Sequence, residues 1–338
     1  MNIDELSIAA IVPCHNEELS VGTVVRDLRE ALPTATIYVY DNASTDRTAE
    51  VATQVGAEVR HEQRKGKGNV VRRAFADIDA DVYLMIDGDD TYDAAAAPLL
   101  IKTLVSGPYD HVLGCRVDSS PDGSYRTGHA MGNRAFNRAT KFLFGEPVSD
   151  MLSGYRAFSH RFVKSFPANS EEFEIETELT IHSANLRVPQ AEVPVGFKDR
   201  EEGSESKLRT FRDGFKILGL LLRLFIHERP LIANGLLSVL SILVGLGIGL
   251  PVVADYLRTG EVDRLPTAVL ASSLCVIGIL VFGIGFVLNG VLKNRQEARR
   301  LSYLRFKAPD AGLRFKAPDA GLRFKAPDAG IARSGESR

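Results

Sequence analysis

The stretch Val82-Tyr83-Leu84-Met85-Ile86-Asp87-Gly88-Asp89-Asp90 decides the fold. An unbroken apolar run of this length, rich in β-branched and aromatic residues, reads as a strand buried on both faces. Its acidic end then falls at the carboxyl edge of a sheet. Working outward, further short strand-like runs alternate with segments of helical spacing. Strands are expected over 8–12, 36–40, 58–61, 82–86 and 111–113, and helices over 21–32, 48–55, 69–76 and 95–104. Ser20 and Asp46 are candidate caps for the first two helices. This βαβα order predicts an α/β fold, Rossmann-like, with a mostly parallel sheet covered by helices. Ligands of such sheets bind beyond the carboxyl ends of the strands.

The chain has 338 residues, with 41 Lys+Arg against 43 Asp+Glu, a net charge of −2. That balance excludes a wholly disordered chain and gives no electrostatic case for a nucleic-acid partner. The cysteines Cys14, Cys115 and Cys275 are odd in number and far apart, which fits a reducing compartment rather than a disulfide framework. Segments 230–254 and 265–292 contain no charged residue, and each exceeds the roughly 20 residues that span a bilayer. A pair of buried core helices is the alternative. Arg223 and Arg229 precede the first span, and Lys293, Arg295, Arg299 and Arg300 follow the second. The loop 255–264 carries Arg258 and Arg264 against Asp255, Glu261 and Asp263. The positive-inside rule then places both outer flanks in the cytoplasm and the loop outside. Gly245 with Gly249, and Gly283 with Gly285, offer small residues for close helix approach.

Between these parts, helices are expected over 132–144 and 174–185, a strand over 188–195 and a charged loop over 198–207. Segment 208–225 has apolar residues at spacings of three and four, interleaved with Arg209, Arg212, Lys216 and Arg223. It reads as an amphipathic helix at the membrane interface or, alternatively, packed on the soluble domain. The predicted organisation is a catalytic domain over 1–206, an interfacial helix over 207–229, spans over 230–254 and 265–292 joined by 255–264, and a cytoplasmic tail over 293–338. In the tail LRFKAPDAG recurs identically at 304–312, 313–321 and 322–330. With a proline in each nonapeptide these copies cannot build a solenoid core, and the tail is expected to be disordered.

Asp87 and Asp89 stand one residue apart at a strand end. Hard oxygen ligands of this kind suit Mg²⁺ or Mn²⁺ shared with phosphate oxygens. Pro13-Cys14-His15-Asn16-Glu17 and Asp41-Asn42-Ala43-Ser44-Thr45-Asp46 end the first two strands on the same edge. Each alone is compatible with turn and cap chemistry. Gly66-Lys67-Gly68 is not a Walker loop; it reads as a turn near the donor with Lys67 offering charge, and Lys65 or Lys67 as a solvated lysine is equally open.

Taken together, IVPCHNE (11–17), YDNASTDRT (40–48), RKGKGN (64–69), MIDGDDTYD (85–93), SDMLSGYRAF (149–158), FEIETEL (173–179) and FKDREEGSESKL (197–208) resemble the family-2 glycosyltransferases with the GT-A fold. The resemblance covers about 8–226 and is to the membrane-associated polyprenyl-phosphate sugar transferases of the dolichyl-phosphate mannose synthase type. It implies inverting transfer of a hexose or N-acetylhexosamine from a nucleotide-diphosphate sugar to polyprenyl monophosphate. A UDP-sugar is favoured and GDP-mannose is open. The place implied is the cytoplasmic face of the cell (inner) membrane, as a multi-pass protein, with a homo-oligomer compatible. By the same resemblance, Pro13, His15, Glu17 and Asp41 line the base and ribose pocket. Asp87 and Asp89 form the metal pair, with Asp89 on the metal. Arg200, Ser206 and Lys207 belong to a loop closing over the diphosphate, and Arg126, Arg134 and Arg156 meet the acceptor phosphate. Thr91 replaces a glutamine common in relatives, leaving Asp90 or Asp93 as substitutes for a third metal ligand. A processive polysaccharide synthase is the alternative enzyme, but its Gln-x-x-Arg-Trp motif is missing from a chain without tryptophan. A non-catalytic membrane scaffold is the other alternative, and the intact acidic pair argues against it.

Overall fold

The computed structural model describes residues 5–118, 150–168, 170, 174–198, 225–226 and 228–307. The helix expected over 132–144, all but the last residue of the one expected over 208–225, and all but the first four residues of the repeats lie outside them. Strands β1 (Ile8–Cys14), β2 (Thr36–Asp41), β3 (Glu58–His61), β4 (Val82–Met85), β5 (His111–Asp118), β6 (Arg156–Ser159) and β7 (Gln190–Phe197) form one sheet in the order β3-β2-β1-β4-β6-β5-β7. Pairing is parallel throughout except where β6 runs antiparallel between β4 and β5. Helices α1 (Val21–Ala31), α2 (Thr48–Gln54), α3 (Lys67–Asp77), α4 (Ala97–Ser106), α5 (His160–Ser165) and α6 (Ile175–Leu186) cover it.

The two-residue period of a strand splits β1 between two cores. Ile8, Ala10, Val12 and Cys14 face one with Val24, Leu28 and Leu100; Ala9 and Ile11 face the other with Phe75, Phe158 and Leu179. This makes three layers with the sheet in the middle.

β1 is the strand from which the order reverses, with β2 on one side and β4 on the other. The β1–β4 register ends at Ile11 and Met85, with a last bond from the Ile86 amide to the Ile11 carbonyl at 3.1 Å. Alternate residues of a strand bond toward the same neighbour. Pro13, two residues on, therefore lacks its N–H on the side where β4 has already turned away, which is how a proline is accommodated in a central strand. The gap that opens there is a topological switch point.

Helices α7 (Pro230–Thr259) and α8 (Leu265–Leu304) form a hairpin. Both are long and apolar enough to cross a membrane, with peak mean hydropathy of 2.5, and only 17% and 11% of those windows are buried. Leu236, Leu243, Ile279 and Phe286 point outward, unlike the faces of core helices. The helices touch at small residues. A Cβ on Gly245 would meet the Ala271 carbonyl at 2.9 Å, and one on Gly285 would meet Asn234 Cβ at 2.6 Å; Gly283 faces open space. Both helices outrun the charge-free segments, by five residues for α7 and twelve for α8. Arg, Lys, Glu and Gln are good helix formers, so the end of an apolar stretch is not the end of a helix. β6 and α5 were not anticipated, being too short to show a period. β5 runs to Asp118 rather than Leu113 because β7 pairs along its whole length.

Candidate active site

The parallel register puts Cys14, Asp41 and His61 in one row at the carboxyl edge. Beyond it the strands end and their backbone groups need other partners. Asn42 supplies several. Its Nδ2 donates to the carbonyls of Glu62 (3.0 Å) and Arg64 (2.7 Å), and its Oδ1 accepts from the Gly66 amide at 2.7 Å. Its own amide donates to the Cys14 carbonyl at 2.8 Å. The loops after β1 and β2 are also laced together. The Asn16 amide donates to Ser44 Oγ at 3.0 Å, the Glu17 amide to Thr48 Oγ1 at 2.8 Å, and His15 Nδ1 lies 2.9 Å from the Asn42 carbonyl. Asp41 is buried, with its Oδ2 3.1 Å from His61 Nδ1. His61 also edges an open depression of about 460 Å³ lined with Glu62, Gln63, Arg64, Arg72 and Arg73. Pro13, His15 and Glu17 are all half-buried at this edge.

Gly66, at φ +120°, makes the turn that starts α3 and sends the Lys67 side chain inward. Lys67 Nζ donates to Asp87 Oδ1 and, at 2.5 Å, to Glu176 Oε1 of α6. The Lys67 and Glu176 side chains are 8% and 5% exposed. Burial alone disfavours the charged amine, but the two carboxylates outweigh it and hold Lys67 protonated well above the ordinary lysine range. Lys65 is the exposed lysine of the pair. Glu176 went unnoticed in the sequence. Its one signal is a glutamate between Ile175 and Thr177 on a helix whose residues are buried nearly all round. Its Oε2 is buried without a hydrogen-bond partner.

Asp89 Oδ1 accepts from the Thr91 hydroxyl at 2.7 Å and from the Thr91 amide at 3.2 Å. Thr91 thus orients Asp89. Asp90, at φ +57°, pairs with Lys198 Nζ at 2.6 Å, and Asp93 Oδ1 accepts from the Ala95 amide at 2.9 Å. Asp90 and Asp93, the substitutes for a third metal ligand, thus each have a protein partner, as Asp87 and Asp89 do. Among the described residues, no group of three His, Cys, Asp or Glu side chains gathers to hold an ion unaided. Asp87 and Asp89 are two carboxylates at one strand end, a donor set that fits a cation whose remaining ligands are substrate oxygens. The Cys14 thiol beneath the site registers its field. Burial first, then Glu17, Asp41, Asp87 and Asp89, push it well above the usual thiol range.

Arg156 starts β6 at this edge, level with Met85, but its side chain turns into the interior. It is fully buried in β6, with Nε donating to the Ser153 carbonyl (2.8 Å), Nη2 to the Met151 carbonyl (2.7 Å) and Nη1 to Thr180 Oγ1 (2.9 Å). Burial lowers it to about 10, against partial support from Glu176 and Asp150. The expectation that it meets an acceptor phosphate is corrected: every contact is internal, and it shapes the turn before β6. In that turn the Gly154 amide donates to the Tyr92 hydroxyl at 2.9 Å. Gly154 also packs directly on Asp87, so that a Cβ there would lie 2.2 Å from Oδ2. The structure thus brings together Pro13, His15, Glu17, Asp41, Lys67, Asp87 and Asp89. Arg126, Arg134, Arg200, Ser206 and Lys207 lie outside the described residues.

A sheet of this order with acidic side chains at its switch point is the GT-A form of α/β fold. The pattern of Glycosyl transferase family 2 matches residues 9–166. The glycosyltransferase AglJ of Haloferax volcanii is 34% identical over 302 residues, covering 88% of this chain and 98% of the relative. The dolichyl-phosphate hexose transferase of the same organism is 31% identical over 222 residues, covering 66% and 95%. Among solved structures, glucosyl-3-phosphoglycerate synthase from Mycobacterium tuberculosis, in complex with Mn²⁺, UDP-glucose and phosphoglyceric acid, superposes with a TM-score of 0.52 at 20% identity, covering 64% and 79%. The chain belongs to glycosyl transferase family 2.

Proposed function

We propose that this chain transfers a sugar, with inversion, from a nucleotide-diphosphate sugar to polyprenyl monophosphate at the cytoplasmic face of a membrane. The observation that carries the reading is the pair Asp87 and Asp89 at the switch point, one braced by Lys67 and the other by Thr91. A membrane helix hairpin on the same chain supplies the reason for a lipid acceptor. The dolichyl-phosphate hexose transferase relative and the Mn²⁺ and UDP-glucose of the mycobacterial enzyme agree with it.

Asp87 and Asp89 would hold Mg²⁺ or Mn²⁺, which when bound supplies countercharge for the leaving diphosphate. Pro13, His15, Glu17 and Asp41 line the base and ribose pocket, where the carboxylates can accept hydrogen bonds from base N–H and ribose hydroxyls. Lys67 is a buried, protonated and immobile cation beside Asp87, a fixed charge that needs no reorganisation during reaction. Arg200, Ser206 and Lys207 are assigned to the diphosphate, and Arg126 and Arg134 to the acceptor phosphate. A phosphate monoester is anionic at neutral pH and attacks the anomeric carbon without a general base. The protein's task is then to hold two anions in line. A UDP-sugar is the favoured donor, with GDP-mannose the alternative.

The test is transfer by the detergent-purified chain with polyprenyl monophosphate, Mg²⁺ or Mn²⁺, and separately labelled UDP-glucose, UDP-N-acetylhexosamines and GDP-mannose. The expected result is an acid-labile, chloroform-soluble labelled lipid from one donor, lost in Asp89→Ala. Nucleotide binding with no lipid product from any donor refutes the acceptor assignment.

A further inference from the structure

Past Leu292 helix α8 continues unbroken through a polar segment to Leu304, about 18 Å of further rise at 1.5 Å per residue. This end lies against α5 and α6 of the catalytic domain. Gln296 Nε2 donates to Asn185 Oδ1 at 3.4 Å, and Asn185 Nδ2 to Glu228 Oε2, just before α7, at 3.4 Å. The Arg161 guanidinium lies 4.6 Å over the Tyr303 ring, and Phe306 meets His160 edge-on at 5.2 Å.

The centre of the contact is Asp110, which has no solvent exposure. Its carboxylate accepts from Ser159 Oγ (2.6 Å), from Arg161 Nε and Nη2 (both 2.5 Å) and from the Tyr303 hydroxyl (2.6 Å). A buried carboxylate is tolerable only when its oxygens are filled by donors. One of the four comes from the membrane hairpin, 193 residues away in sequence. The domain surface is thus chemically incomplete without the helix end. The helix itself is seated on α7 through glycine contacts and a bond from Ser241 Oγ to the Leu274 carbonyl at 2.8 Å.

We propose that the 293–307 end of α8 is a docking strut, latched by Tyr303 on Asp110, that fixes the orientation of the catalytic domain on the membrane hairpin. A tether alone would leave the strand edge free to tumble; the strut holds it at one height and angle. The proposal rests on the hairpin crossing a bilayer but not on the identity of donor or acceptor. The first LRFKAPDAG copy supplies Leu304 and Phe306 to the strut, and it alone follows a tyrosine; the other two follow Ala-Gly.

The test is a distance measurement by pulsed electron resonance on the full chain in lipid nanodiscs. One spin label replaces exposed Asp27 of α1 and the other exposed Asp263 between α7 and α8, with the accessible native cysteines removed. The wild-type chain is expected to give one narrow distance, retained when the chain stops after Lys307. Losing one hydrogen bond to a charged group shifts a docking equilibrium by about ten- to a hundredfold. Tyr303→Ala with Phe306→Ala, and a chain stopped after Gln296, are therefore expected to broaden the distribution. A broad distribution in the wild-type chain, or an unchanged narrow one in the double variant, overturns the proposal. Neither outcome depends on whether the chain makes a lipid-linked sugar. Failure of the transfer assay would leave the distance result standing.

Discussion

Replacing Gly154 by alanine should disable the site while leaving the fold standing. The three atoms nearest the added Cβ all belong to the Asp87 carboxylate, at 2.2, 2.7 and 2.8 Å. The backbone of Gly154 has little room to retreat. Its amide is bonded to Tyr92, Ser153 Oγ donates to the Gly114 carbonyl at 2.5 Å, and Arg156 grips the carbonyls of Met151 and Ser153. The carboxylate must therefore swing by roughly 1 Å, against its ion pair with Lys67. An off-rotamer side chain costs about 0.5–1.5 kcal/mol, and a lost hydrogen bond to a charged group about 1.5–3 kcal/mol. Together these are about 2–4.5 kcal/mol, roughly a thirty- to thousandfold fall in the fraction of correctly placed carboxylate at 1.4 kcal/mol per tenfold. A misplacement of about 1 Å costing about a hundredfold in rate agrees with that range.

The assay is kcat/KM for sugar transfer against Mn²⁺ concentration, with the thermal midpoint measured in parallel. Turnover should fall by about two orders of magnitude with a weakened Mn²⁺ response, while the midpoint moves by only a few degrees. In an Asp87→Ala background the same glycine substitution should cost almost nothing, because the atoms it strikes are gone. A Gly154→Ala chain with wild-type turnover and metal response would show that Asp87 is not held where the reasoning requires it.

Two further predictions concern buried basic side chains. Arg156→Met strands two backbone carbonyls and Thr180, and should lower stability by about 3–5 kcal/mol in denaturant unfolding, with KM for the acceptor unchanged in any folded fraction. A selective rise in that KM would restore Arg156 to the acceptor site. His182 is held neutral first by burial and then by Arg299 of α8, which lower it to about 3. The unfolded chain takes up this proton near pH 6.5 and the folded chain refuses it, so stability should fall as pH drops from about 6.5 toward 3, by up to about 1.4 kcal/mol per unit. His182→Phe should flatten that slope in unfolding midpoints compared at pH 7.5 and 5; an unchanged slope would place the titration elsewhere.

β1, β2 and β4 are legible because parallel strands buried on both faces are written as largely apolar runs, whereas the edge strand β3, Glu-Val-Arg-His, is placed by its position between two helical segments. The carboxyl-edge residues were legible for the same reason: once a strand is placed, so is its end. β6 was not, since Arg-Ala-Phe-Ser carries neither period nor continuous apolarity, and its arginine looks like a surface charge. Lys67 and Glu176 meet across 109 residues, and nothing local in either motif announces the pairing. The strut is hidden because charged residues mark the end of the apolar part of α8 and not the end of the helix.

What the sequence hides most completely is a set of buried polar hubs, and they share one physical cause. A sheet satisfies its backbone groups only as far as its strands run, and the functional edge begins where they stop. There Asn42 joins the end of β2 to the loop before α3, and Arg156 joins the turn carrying Gly154 to α6. Asp110 does the equivalent at the other end of the sheet, joining the start of β5 to α5 and to α8. Each hub is buried, and each reaches segments far away in sequence. Removing one leaves several partners unsatisfied at once, so its cost exceeds that of any single contact. Asp87 and Asp89 meet the surrounding scaffold through Lys67, Gly154 and Thr91. Their placement thus depends on side chains buried behind the edge. For that reason substitutions such as Gly154→Ala and Arg156→Met should separate the chemistry of the edge from the scaffold that aims it.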